Sequence, residues 1–265
     1  MDIKRIIPKT KLHYFYDSLT RYRVRKQLDI CDNLIKYPSC LHSLYTDACN
    51  DFSRYSNIEE TFVTSLNKRK QLAFSGIINN TPQLLALFDE QRDLKVEKNI
   101  TLDFKYIERE INPLRTTKTI FETGIPGTSS GVGGLDFIGI NKKYNPVLGE
   151  IKIRDDENVF YAFIQLLTYC SELFTENQID RINRNCVFGK HEIKSPCCLY
   201  IVLYENNSMS AAYPLIKKTL ELAKAFKALL ITEKILNPFQ KVGNIVCLDA
   251  IVHKGKISFR KIWEV

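Results

Sequence analysis

The sequence predicts an α/β fold behind a helical N-terminal portion, and three observations carry that reading. From Leu12 to about Leu66 apolar residues recur at three- and four-residue steps, among them Val24, Leu28, Cys31 and Ile35 and later Phe62 and Leu66, the spacing of amphipathic helices. From Lys118 onward short apolar runs alternate with longer helical patterns, in the order strand, strand, strand, helix, strand, helix, hairpin. The 265 residues are 45% hydrophobic and 26% charged, which supports a sizeable core and excludes disordered and fibrous classes.

Each element has a local justification. A short helix is expected over Pro82 to Phe88, and the segment from there to Pro113 carries no clear pattern. Lys118 to Ile125 reads as a strand and Leu135 to Ile140 as its hairpin partner, joined by the glycine-rich PGTSSGVGG of Pro126 to Gly134. Asn141 to Asn145 supplies a turn and Pro146 to Ile153 a third strand. The following helix places Phe160, Phe163, Ile164, Leu167, Cys170 and Phe174 on one face. Cys197 to Tyr204 is a continuous apolar run, as in a strand buried on both faces. Pro214 suits the first position of the next helix, whose Lys217, Lys218, Lys224 and Lys227 are left for solvent or phosphate. Ile245 to Val252 and Lys256 to Trp263 form a closing hairpin across Lys254 and Gly255. The chain thus divides into a helical region over 1–115 and a sheet-bearing domain over 116–265.

Apolar runs fall short of the roughly 18 residues of a membrane span, and the charged start MDIKRIIPK lacks a signal-peptide core. Eight cysteines without C-x-x-C spacing suit reduced, buried thiols better than a disulfide framework. The expectation is a chain that stays where it is made, in the cytoplasm or another reducing intracellular compartment, with no membrane partner. Cys31, Cys40, His42 and Cys49 are the one group to weigh as zinc ligands. Structural zinc sites bring ligands in pairs two to four residues apart, and only Cys40 and His42 come near that, so helix packing is the preferred reading.

Charge is uneven along the chain. Residues 1–30 carry net +5 and residues 217–265 net +6, while the middle is net −3. Arg21, Arg23, Arg25 and Lys26 interleave with Tyr22 and Val24, as a phosphate-tracking surface would; a solvated helix face gives the same pattern.

The chemistry concentrates around Asp136, Glu150 and Lys152. Side chains alternate along a strand, so Glu150 and Lys152 share a face and Ile151 points to the other. If the neighbouring strand brings Asp136 to that face, two carboxylates meet around one ammonium, a costly arrangement unless a cation joins them. Carboxylate oxygens suit Mg²⁺ or Mn²⁺, which retain waters and take substrate phosphate as a further ligand.

The segment GGLDFIGINKKYNPVLGEIKI resembles the PD-(D/E)XK nuclease superfamily, with Asp136 at its first acid and Glu150, Ile151 and Lys152 at its E-x-K. QLLTY, from Gln165 to Tyr169, is similar to the Q-x-x-x-Y of its RecB-like branch. Leu135 stands before Asp136 where that superfamily often has proline. The resemblance covers about residues 120–205 and implies a restriction-endonuclease-like αβββαβ core with a mixed central sheet. It further implies Mg²⁺-dependent DNA hydrolysis, with Asp136, Glu150 and the Ile151 carbonyl holding metal and Lys152, Gln165 and Tyr169 serving catalysis. The N-terminal helices would then supply substrate choice or a homodimer contact. Families of this kind also draw an acid from a preceding helix, for which Glu60, Glu59, Glu108 and Glu110 are candidates, with a solvated role the plainer reading of each; Glu122, on the expected first strand, is a further candidate acid.

Other chemistries find no footing. PGTSSGVGG lacks the Gly-Lys-Ser/Thr of a P-loop and the spacing of a dinucleotide fingerprint. His13, His42, His191 and His253 are scattered, and no Ser/His/Asp order is legible. Two rivals to a nuclease stand: a non-cleaving nucleic-acid-binding module and a protein-interaction module on the same fold.

Overall fold

The computed structural model describes residues 11–54, 104–111, 135–141, 143–153, 159–184, 192–194, 196–204, 213–232, 238–253 and 256–265. Three helices open it: α1 (Leu12–Leu19), α2 (Val24–Lys36) and α3 (Pro38–Arg54). In α1 the residues Leu12, Phe15, Tyr16 and Leu19, spaced by three and four, are buried. The Gln27 amide of α2 donates to the Leu19 and Tyr22 carbonyls at 3.1 and 3.0 Å. With the Tyr22 N–H, which also donates to the Leu19 carbonyl at 3.1 Å, it fixes the corner between the helices.

A six-stranded sheet follows sequence order, β1 (Phe104–Ile111), β2 (Leu135–Asn141), β3 (Pro146–Ile153), β4 (Cys197–Tyr204), β5 (Val242–His253) and β6 (Lys256–Glu264). β1, β2 and β3 are antiparallel neighbours, β3, β4 and β5 are parallel, and β6 returns antiparallel on β5. The fold is therefore α/β with a mixed sheet. Helix α4 (Val159–Leu173) crosses from β3 to β4, followed by α5 (Glu176–Arg184), and α6 (Tyr213–Thr232) crosses from β4 to β5.

Strand β1 was not legible in the sequence, and it corrects the hairpin expected between Lys118–Ile125 and Leu135–Ile140. Both edges of β2 are hydrogen-bonded, to β1 and to β3, which leaves no edge for a further strand. Lys118–Ile125, PGTSSGVGG, Phe62, Leu66 and the helix expected over Pro82–Phe88 lie outside the described residues. The division at 115/116 separates β1 from the sheet it belongs to, and the buried side chains of α1, α2 and α3 join those of α4, β4 and α6 in one apolar cluster.

Helix α4 is the centre of that cluster. The sequence suggests a single apolar face, yet every residue of α4 except Tyr161 is buried. The helix packs on β3 and β4 with one side and meets α1, α3 and α6 with the others. Phe226 of α6 stands edge-on to Tyr45 and Phe163, with centroids 5.5 and 5.9 Å away, pairs that add about 0.5–1.5 kcal/mol each beyond burial. The second sheet face carries its own cluster, Phe137, Val147, Ile151, Cys198, Tyr200 and Val202 among them. Burial raises the thiols of Cys31 to about 12 and of Cys49 and Cys197 well above the ordinary value, so these cysteines behave as apolar side chains. Among the described residues no helix is long and apolar enough to cross a membrane.

Candidate active site

The register of β2 on β3 pairs Phe137 with Gly149, which sets Asp136 and Glu150, the next residue of each strand, opposite each other. Opposed residues of an antiparallel pair point to the same face. The Ile151 N–H donates to Asp136 Oδ2 at 2.6 Å. Because N–H and C=O of one strand residue point the same way, the Ile151 carbonyl also lies on the Asp136 side. The Ile151 side chain points away, into the second-face cluster.

Glu150 is 1% exposed and Lys152 5%. The Lys152 ammonium donates to Glu150 Oε2 at 3.3 Å and to Gln165 Oε1 at 3.1 Å, so α4 anchors the lysine from above the sheet. Glu150 Oε1 is buried with no hydrogen-bond partner. Burial, and then the Asp136 carboxylate beside it, hold the Glu150 carboxyl well above the usual carboxylate range; the Lys152 ammonium pulls the other way without prevailing.

Gln165 and Tyr169 are buried in the packing around α4. They are 3% and 1% exposed: α4 is enclosed by β3, β4, α1, α3 and α6, Gln165 turns toward Lys152 of β3, and α1 lies on the side of Tyr161. Sequence reasoning missed two neighbours on that side. Tyr16 of α1 stacks on Tyr161 of α4 with centroids 5.1 Å apart, and Lys152 Nζ lies 5.0 Å from the Tyr161 ring centre. Burial, then Tyr169, Tyr161 and Glu150 nearby, push the Tyr16 phenol above its ordinary value, which keeps it neutral. One signal was available: Tyr161, Gln165 and Tyr169 are spaced by four and form a single stripe on α4.

No family model, curated protein or solved structure matches this chain. The site therefore stands on its own geometry.

Two hard carboxylates side by side, one with an oxygen lacking a partner, make a donor set that fits a small divalent cation bound partly through water. Among the described residues no group of three or more His, Cys, Asp or Glu side chains is placed to hold a metal ion, and that includes Cys31, Cys40, His42 and Cys49, of which Cys31, Cys49 and His42 are buried. Glu59, Glu60 and Glu122 lie outside the described residues. Glu108 is in β1, opposite Ile138, and Glu110 is in the same strand.

The basic candidates lie at the α1–α2 corner. Arg21, Arg23 and Arg25 are exposed and Lys26 half-buried. Of the four lysines read in α6, Lys218 pairs with Asp32 of α2 and Lys227 donates to the Val265 carbonyl at 2.7 Å, while Lys217 and Lys224 are exposed.

Proposed function

We propose that this chain is a metal-dependent nuclease acting on DNA, built on a restriction-endonuclease-like core of the PD-(D/E)XK type. The observation that carries the reading is the buried Glu150 carboxylate, set against Asp136 with one oxygen lacking a partner and with Lys152 on the other. A buried carboxylate set against a second, half-buried one is costly unless a cation joins them, and a protein retains such an arrangement where it is used. Asp136 and Glu150, with the Ile151 carbonyl on the same side, would hold Mg²⁺ or Mn²⁺. Bound there, such an ion supplies Lewis acidity toward phosphate and acidifies water.

The chain's own groups do the rest. Lys152, fixed by Glu150 and Gln165, presents its ammonium where a water attacks phosphorus and where negative charge grows on the phosphate oxygens. The new P–O bond forms from water, which gives up a proton to solvent, as the bond to the leaving deoxyribose oxygen breaks and that oxygen takes a proton up. Arg21, Arg23, Arg25 and Lys26 would follow the backbone phosphates. Arg21 lies two residues beyond the end of α1, the helix that carries Tyr16.

A second reading is a non-cleaving nucleic-acid-binding module. The direct Lys152–Glu150 pair at 3.3 Å favours it, because the ammonium then satisfies the acid in place of a metal. One assay separates the two: wild type and Glu150→Ala on linear, circular and single-stranded DNA with and without Mg²⁺. Mg²⁺-dependent cleavage by the wild type that Glu150→Ala abolishes, with binding retained, is the result expected of a nuclease. Binding without cleavage under every condition assigns the chain to the second reading.

A further inference from the structure

Lys152 is held by two hydrogen bonds and by the ring of a tyrosine. Glu150 and Gln165 take two of its donors, while the Tyr161 ring lies 5.0 Å from Nζ, within the range at which a ring face attracts a cation. Tyr161 is in turn stacked by Tyr16 at 5.1 Å, with the planes 29° apart. Tyr16 is 2% exposed, so α1 has no freedom to withdraw it without opening the core. A lysine is a point charge on a flexible four-carbon stem, and a displacement of about 1 Å at a reacting group can cost a hundredfold in rate.

We propose that Tyr161 is a positioning residue for Lys152, and that Tyr16 positions Tyr161, so that helix α1 completes the site. The catalytic consequence rests on the nuclease reading; the placement of Lys152 does not. Neither tyrosine belongs to the Asp136, Glu150-Ile151-Lys152 or Gln165/Tyr169 pattern. The need is for a ring face and not for a hydroxyl, because the attraction comes from the ring quadrupole. A phenylalanine therefore substitutes at 161 and a leucine of similar apolar character does not.

The test uses the full chain with ¹³C-labelled lysine, the Lys152 signal being assigned by its loss in Lys152→Arg. Ring current shifts the Lys152 side-chain protons upfield in the wild type and in Tyr161→Phe; the shift disappears with the ring in Tyr161→Leu and falls in Tyr16→Leu, where the ring stays and only its support is lost. With Mg²⁺ and a DNA substrate, Tyr161→Leu lowers kcat about tenfold or more at a KM within about threefold of wild type, and Tyr161→Phe stays within about threefold in both. Should Tyr161→Leu fail to fold, Tyr16→Leu carries the same comparison, since it keeps the Tyr161 ring and removes what holds it. A folded leucine variant with the Lys152 shift unmoved overturns the positioning role. A moved shift with unchanged kcat overturns its catalytic meaning. If the wild type cleaves no substrate, the nuclease reading fails while the lysine spectrum still decides where Lys152 sits.

Discussion

Gly149→Ala tests whether the strand that carries Glu150 is seated as described. A Cβ built at Gly149 would stand 1.9, 2.1 and 2.3 Å from Cζ, Cε1 and Cε2 of Phe137, where carbon contacts normally begin near about 3.5 Å. The ring must retreat by roughly 1.5 Å, and it has nowhere to go, since Phe137 is 0% exposed and packs in the second-face cluster. Overpacking of this kind costs about 2–3 kcal/mol. For a chain of this size that lowers Tm by about 4–10 °C. Urea denaturation of wild type, Gly149→Ala, Phe137→Leu and the double variant measures it, with the double variant more stable than the sum of the singles by about 1 kcal/mol or more. The same change pries β2 from β3 beside Asp136 and Glu150, so Mg²⁺-dependent activity should fall further than stability alone explains. A Gly149→Ala protein within about 0.5 kcal/mol of wild type, or strictly additive variants, would refute the Phe137–Gly149 register and with it the opposition of the two acids.

Three further outcomes follow from the site. Glu150 has a folded carboxyl held above its ordinary value of 4.5, so the stability it contributes is complete below that value and is lost as pH rises through the folded one. Without divalent ions, Glu150→Gln should therefore gain on wild type as pH goes from 5 to 8, by no more than about 1.4 kcal/mol per pH unit; a constant or shrinking gap in urea melts speaks against a buried, charge-crowded acid. Replacing Arg21, Arg23, Arg25 and Lys26 together by alanine should flatten the dependence of log K on log salt by up to about 3 to 4 for duplex DNA, read by fluorescence anisotropy, and an unchanged slope removes this corner from the interface. Gln165→Ala removes an acceptor of the buried Lys152 and should cost about 1–3 kcal/mol along with most of the cleavage; full activity per folded molecule would make Gln165 structural alone.

What the sequence by itself determined is what periodicity encodes. β2, β3, β4, the β5–β6 pair, α4 and α6 lie where short apolar runs bounded by turns and three- or four-residue spacing put them, and side-chain direction repeats every 2 residues in a strand and every 3.6 in a helix. The same rule set Glu150 and Lys152 on one face with Ile151 on the other, before any partner was known. Tertiary structure alone decided who the partners are. FKYIEREI (Phe104–Ile111) alternates charged and apolar residues too irregularly to be told from a helix, and becomes β1 because β2 offers it an open edge. Gln165 and Tyr169 are buried because β3 and β4 close one side of α4 and α1, α3 and α6 the others, α1 and α3 coming more than 100 residues earlier in the chain. Tyr16 reaches the Tyr161 ring beside Lys152 for the same reason. A local pattern records which side of an element seeks cover, and the chain's long-range packing selects what provides it, because the apolar surface is buried wherever a complementary face can reach.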